Sequence, residues 1–201
     1  MSREERRGRP ARCNPFAAGR VEALTYRFLE GLDWERLLER LAVLDQRAAL
    51  VGPEGHGKTT LLEQLGVRLE ERGLALRQAT LRRRQRRLPR EDRARLLRDL
   101  GPKDLLLIDG AQELGGWPWW RLRRRSCAAG GLLVTSHREG LLPTLLRCET
   151  SPELLEELVR ELLAEEPESL DALDLPALYH RHGGNVREAL WELYDRWAGR
   201  V

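Results

Sequence analysis

The chain has 201 residues, of which 41% are hydrophobic and 33% charged, and its formal net charge is +3. This balance excludes a disordered chain, and the length allows one large domain or one medium domain with a small one. No apolar run nears the ~20 residues needed to cross a bilayer. Three cysteines, Cys13, Cys127 and Cys148, have neither the C-x-x-C spacing of a zinc site nor the even count of a disulfide framework. The N-terminus lacks the apolar core of a secretory signal, so a cytoplasmic protein without membrane insertion is expected. Lysine occurs only at Lys58 and Lys103. Arginine content is therefore a weak argument for nucleic acid, and Lys58 stands out.

Residues 1–12 are polar and charged, with Gly8 and Pro10, and read as a flexible tail. Asn14-Pro15-Phe16 is a turn signal carrying an aromatic. Asp33 is placed to cap a helix whose Leu37, Leu38, Leu41 and Leu44 share one face. Ala48 to Val51 is a short strand that runs into a glycine loop. Helical spacing resumes at Leu61, Leu62, Leu65 and Leu69 and stops at Gly73. Leu74 to Leu81 reads as a strand, Arg82 to Arg90 as a basic loop, and residues 89–100 as a helix that Gly101-Pro102 ends. Strands are expected at Leu105–Asp109, Leu132–Ser136 and, more weakly, Leu145–Thr150. Alternation of strands and helices predicts a parallel sheet covered on both faces. From Ser151 onward only helices are expected. Ser151 caps the first of these, Pro167 breaks it, a short helix covers residues 175–182, and Asn185 opens the last.

Gly52-Pro53-Glu54-Gly55-His56-Gly57-Lys58-Thr59 matches G-x-x-x-x-G-K-[ST], with Thr60 the next residue. The match lies between a strand and a helix, the setting the motif requires. Glycines let the backbone close around phosphate oxygens, and the loop amides and helix N-terminus supply partial positive charge. Lys58 would reach the β- and γ-phosphates of ATP, and the Thr59 hydroxyl would ligate Mg²⁺. Asp109, at the end of an apolar strand, is the expected second Mg²⁺ residue. Thr135, Ser136 and His137 end a third strand where side chains could face the γ-phosphate or an attacking water; the choice among them is open.

These motifs resemble the AAA+ class of P-loop ATPases, in particular small ExeA-like and TniB-like members. Asn14-Pro15-Phe16 resembles an element ahead of their P-loop. Leu106 to Leu114 resembles their Walker B segment, and Gly183-Gly184-Asn185-Val186-Arg187-Glu188-Ala189-Leu190 resembles their sensor-2 helix. Thr135-Ser136-His137 falls at the sensor-1 position. The resemblance implies an α/β three-layer P-loop fold with sheet order 5-1-4-3-2. It also implies a P-loop domain over residues 13–150 and a helical lid over 151–201, with Arg187 directed at the nucleotide phosphates. One departure stands out. The family's Walker B aspartate is followed by a catalytic glutamate, whereas Asp109 is followed by Gly110, with Glu113 three positions further on. ATP binding is thus expected with slow hydrolysis.

Two weaker signals remain. Arg82, Arg83, Arg84, Arg86, Arg87 and Arg90 form one cluster, and Trp117, Trp119 and Trp120 adjoin Arg121, Arg123, Arg124 and Arg125. Such mixtures grip nucleic acid, but a solvated arginine face with packed tryptophans is the plainer expectation. His180 and His182 are poorly spaced for a helical metal site. The functional expectations are a Mg-ATP switch, a non-hydrolysing scaffold for a protein partner, or a DNA-associated ATPase. The partner is a protein not identified from the sequence or a second copy in a homo-oligomer, and a neighbour could supply an arginine finger, with Arg138, Arg147 and Arg181 as candidates. A small-molecule kinase fits less well, because the C-terminal helices read as a lid and not as an acceptor site.

Overall fold

A computed structural model describes residues 14–29 and 31–199. The expected tail over residues 1–12 lies outside them, as does Cys13. The described chain falls into two compact units. One comprises residues 28–53 and 57–148. The other comprises residues 14–27, 54–56 and 149–199.

The larger unit is an all-parallel five-stranded sheet with helices on its faces. Helix α2 (Trp34–Val43) starts where expected, because the Asp33 carboxylate accepts from the Arg36 N–H at 2.8 Å. Strand β1 (Arg47–Val51) follows, then α3 (Lys58–Glu70), β2 (Ala75–Thr80), α4 (Arg90–Leu97) and β3 (Asp104–Asp109). Helix α5 (Gly116–Arg125), β4 (Gly131–Ser136) and β5 (Thr144–Arg147) complete the unit. The strands lie in the order β2-β3-β4-β1-β5, which is the expected 5-1-4-3-2 order read from the other edge.

The two-residue period of a strand sends alternate side chains to opposite faces. Leu106 and Ile108 of β3 join Leu96, Leu97 and Leu122 in one buried cluster beneath α4 and α5. On the other face Leu107 meets α3, whose Gly66 lies so close that a Cβ there would stand 2.7 Å from Leu107 Cδ1. Both faces are therefore apolar, which explains the unbroken Leu-Leu-Leu-Ile run of β3. Each such buried side chain contributes roughly 1.5–3 kcal/mol.

Two expected elements differ from those observed. Helix α4 stops at Leu97 and does not reach residue 100, because Arg98 turns extended and Asp99 is left-handed at φ 47°. Arg77 on β2 meets this early end: its guanidinium donates to the carbonyls of Arg95 and Asp99 at 3.4 and 3.3 Å, to that of Arg98, and to Asp104 Oδ1 at 2.7 Å. A side chain from a different strand thus supplies the C-terminal cap. Strand β5 ends at Arg147 and does not continue to Thr150.

The smaller unit is helical: α1 (Ala18–Glu22), α6 (Pro152–Leu162), α7 (Leu175–Arg181) and α8 (Val186–Trp197). Ser151, Asp174 and Asn185 cap the last three, each accepting from a backbone N–H three residues on. The Asn-Pro-Phe element is an anchor here. Asn14 donates to the Tyr194 carbonyl at 2.9 Å and accepts from the Phe16 N–H at 2.9 Å. The Phe16 ring meets Trp197 edge-on, with centroids 5.3 Å apart. Among the described residues no helix is long and apolar enough to cross a membrane.

Candidate functional site

The glycine loop joins β1 to α3. Gly52 is buried, and its N–H donates to the Ser136 carbonyl at 3.1 Å, tying the loop's start to the end of β4. Gly55 and Gly57 both take left-handed backbone angles, φ 75° and 74°, and Gly57 is the N-cap of α3. Pro53 and Glu54 are exposed; Gly55, His56 and Gly57 are half-buried, as are Thr59 and Thr60 on the first turn of α3. Lys58 is buried, and its ammonium donates to the Pro53 carbonyl at 2.5 Å, so the side chain curls back over its own loop.

Parallel strands bring the remaining polar residues to the same edge of the sheet. Asp109 ends β3 and Thr135 precedes the last residue of β4. The Thr59 hydroxyl donates to Asp109 Oδ2 at 3.0 Å, and the Thr135 hydroxyl donates to Asp109 Oδ1 at 2.5 Å. The Gly110 N–H in turn donates to Thr135 Oγ1 at 2.8 Å. Thr59, Asp109 and Thr135 therefore form one hydrogen-bonded chain across α3, β3 and β4. The register explains the pairing: Ile108 lies opposite Val134, so the next pair is Asp109 and Thr135.

The other candidates stand apart from this chain. Ser136 is buried but turned to its own loop, with its hydroxyl donating to the Arg138 carbonyl at 2.6 Å and accepting from the Arg138 N–H at 3.2 Å. His137 is exposed. Glu113 lies on a short 3-10 turn, and its carboxylate accepts from the Arg84 N–H at 2.8 Å, fastening the basic loop. Gly110 is left-handed at φ 79°, and a Cβ there would stand 2.7 Å from the Leu81 carbonyl oxygen. Only glycine meets both demands without strain.

Within the smaller unit, the loop tip at Gly55 abuts Asn185, where a Cβ would stand 1.7 Å from Asn185 Oδ1. Arg187, two residues further on, is exposed in the first turn of α8. The finger candidates Arg147 and Arg181 make ion pairs, with Glu139 at 2.8 Å and Glu192 at 2.7 Å, while Arg138 is exposed. His182 also binds Glu192, at 2.7 Å. The sensor-2 resemblance directs this helix at the phosphates, but no local pattern singles out Asn185 as the neighbour of Gly55, 130 positions away.

Among the described residues no cluster of three or more His, Cys, Asp or Glu could hold a metal ion by itself. Mg²⁺ does not need such a cage. It keeps several waters, and in phosphate sites it takes one or two protein oxygens with phosphate oxygens completing the octahedron. The Thr59 hydroxyl and the Asp109 carboxylate, 3.0 Å apart, are hard oxygen donors of that kind. The donor set fits Mg²⁺ held together with nucleotide phosphates.

The five-stranded parallel sheet and its helices form a P-loop NTPase fold like that of RuvB. The chain is similar in structure to RuvB from Thermotoga maritima. One RuvB point variant aligns with a TM-score of 0.51 and 19% identity over 82% of this chain and 62% of that one. Two further variants each align at 0.50 and 18%, over 81% and 61%. The chain therefore spans less than two thirds of the RuvB length. No family model matches the chain, and no curated protein matches it in sequence.

Proposed function

We propose that this protein is a Mg-ATP-dependent switch of the AAA+ type with slow intrinsic hydrolysis. The observation that carries the reading is the chain from Thr59 through Asp109 to Thr135, set at the strand ends beside Lys58. Lys58 would exchange the Pro53 carbonyl for phosphate oxygens. Thr59 and Asp109 would hold Mg²⁺, and Thr135 would keep Asp109 oriented. Bound Mg-ATP supplies the scissile γ-phosphate and the charge that neutralises it. Arg187 is proposed to respond to the nucleotide, supported by the contact of Gly55 with Asn185 at the start of the same helix. Residues 151–201 would then act as the responsive lid to the P-loop domain, with residues 14–27 grouping with the lid helices and not with that domain.

Slow hydrolysis follows from Gly110. It has no side chain to polarise water, and a positioned base is worth about 10²–10⁴ in rate. Glu113 is engaged with the Arg84 N–H. The same features favour the second reading, a scaffold that binds ATP without turning it over. Calorimetric titration of Mg-ATP tests binding. Lys58→Ala should weaken it about ten- to hundred-fold, since a charge-assisted hydrogen bond is worth roughly 1.5–3 kcal/mol; equal affinity would remove the assignment. Single-turnover hydrolysis tests the rest. Glu113→Gln should leave the slow rate within a few-fold, whereas its abolition would make Glu113 the base.

A further inference from the structure

Helix α5 carries the largest exposed aromatic surface of the larger unit. Trp117 and Trp120 are 63% and 53% exposed, while Trp119 on the opposite side packs against the buried cluster. The exposed pair is three residues apart, which places both rings on one helix face with Arg121 and Arg124. The Arg121 guanidinium lies 5.3 Å from the Trp117 ring centre, and that of Arg124 lies 5.5 Å from the Trp120 ring centre.

Both ends of this helix meet further arginines. At its start, the Gly115 N–H donates to the Arg86 carbonyl at 3.3 Å, which fixes the exposed loop of Arg82, Arg83, Arg84, Arg86 and Arg87 beside the first turn. At its end, Arg125 shares an open cleft of about 570 Å³ with Arg90, Arg93 and Arg98 of the α4 region; Asp99 is the one acid lining it. Charge is segregated to match. Residues 81–90 and 114–137 contain ten arginines and no acid, so the rest of the chain holds 25 basic against 32 acidic residues.

We infer that the α5 face, with the arginine loop at one end and the arginine cleft at the other, is a binding surface for single-stranded nucleic acid. Arginines neutralise phosphates, and exposed rings stack on bases that no duplex partner covers. Helix α5 alone is about 15 Å long at 1.5 Å per residue, enough for roughly four stacked nucleotides at 3.4 Å each. An acidic protein segment would use the arginines but leave the two indoles without a counterpart.

The test uses the full chain without nucleotide, so its outcome is separate from the ATP reading. Fluorescence anisotropy follows a labelled 20-nucleotide oligo-dT at low salt. The wild type should bind it more tightly than a duplex of equal length. Trp117→Ala with Trp120→Ala should weaken binding at least about ten-fold, since stacking contributes roughly 5- to 150-fold per base. Arg121→Ala with Arg124→Ala should weaken it and flatten the slope of log K against log salt by about 1.4, or 0.7 per lost phosphate contact. These side chains are exposed, and unchanged thermal melts would exclude misfolding. Absence of wild-type binding, or equal binding by the double tryptophan variant, overturns the inference. So does an oligomer in sedimentation that the tryptophan variant abolishes while oligo-dT stays unbound, which would make the face a contact between copies.

Discussion

Gly110 and Leu81 approach so closely that a Cβ on the glycine would stand 2.7 Å from the leucine carbonyl oxygen. With φ at 79°, the position rejects side chains on two independent grounds. Gly110→Ala should therefore cost about 1–3 kcal/mol, visible as a melting temperature lowered by several degrees. Gly110→Glu should destabilise as much and give no faster turnover, although it restores a carboxylate after Asp109. A folded, faster Gly110→Glu enzyme would show that the loop moves away from Leu81 at little cost.

Thr135 holds Asp109 on one side and the Gly110 N–H on the other. Thr135→Val leaves that buried N–H without an acceptor, at a cost of about 1–3 kcal/mol. It should also weaken Mg²⁺-dependent ATP binding, because Asp109 loses its orienting donor. Thr135→Ser should restore both. Thermal melts and titrations at several Mg²⁺ concentrations would separate the effects, and a valine variant with wild-type stability and Mg²⁺ response would refute the role.

Arg187 is exposed near the start of α8, so Arg187→Ala should change the melting temperature very little. Surface substitutions away from special features usually stay within about 0.5 kcal/mol. Under limited proteolysis, ATP should protect the wild type more than this variant. Equal protection by ATP would leave Arg187 as a solvated surface arginine.

Two carboxyl groups set an acid limit on stability. Burial alone would raise Asp104, but the Gly101 N–H and Arg77 outweigh it and hold the carboxyl below its usual range. Glu192 is likewise pushed up by burial and held down more strongly by His182, Arg196 and Arg181. A carboxyl depressed in the folded state adds stability that is complete above its unfolded pKa and is lost as pH falls through the folded one. Melting temperature should therefore be flat in this respect above about pH 5 and fall below about pH 4. Asp104→Asn should shrink the acid-side fall while lowering stability near neutrality. An unchanged acid slope in Asp104→Asn would place the loss elsewhere.

Much of the larger unit was legible because its signals are local. Asp33, Gly73 and the Leu105 to Ile108 run each state an element within a few residues, and Gly52 to Thr59 carries its setting with it. The sheet order came through the resemblance, since strand neighbours are not written in local pattern. Sorting Thr135 from Ser136 and His137 required the register of β3 against β4, which no single strand contains. Helix α5 was not among the expected elements; Pro118 sits in its first turn, where a missing N–H costs nothing. The early end of α4 was hidden too, because its carbonyls are capped by Arg77 from another strand.

The bond from Asn14 to the Tyr194 carbonyl spans 180 residues of chain. During synthesis at roughly 5–20 residues per second, Asn14 and Phe16 leave the ribosome on the order of ten to forty seconds before their partners on α8 exist. The β-strands of the larger unit all emerge within that interval and can assemble, while the Phe16 ring stays in water. The helical unit is thus the last to close. Its earliest apolar anchor, Phe16, is thus open to a chaperone or protease throughout that interval on a nascent or stalled chain.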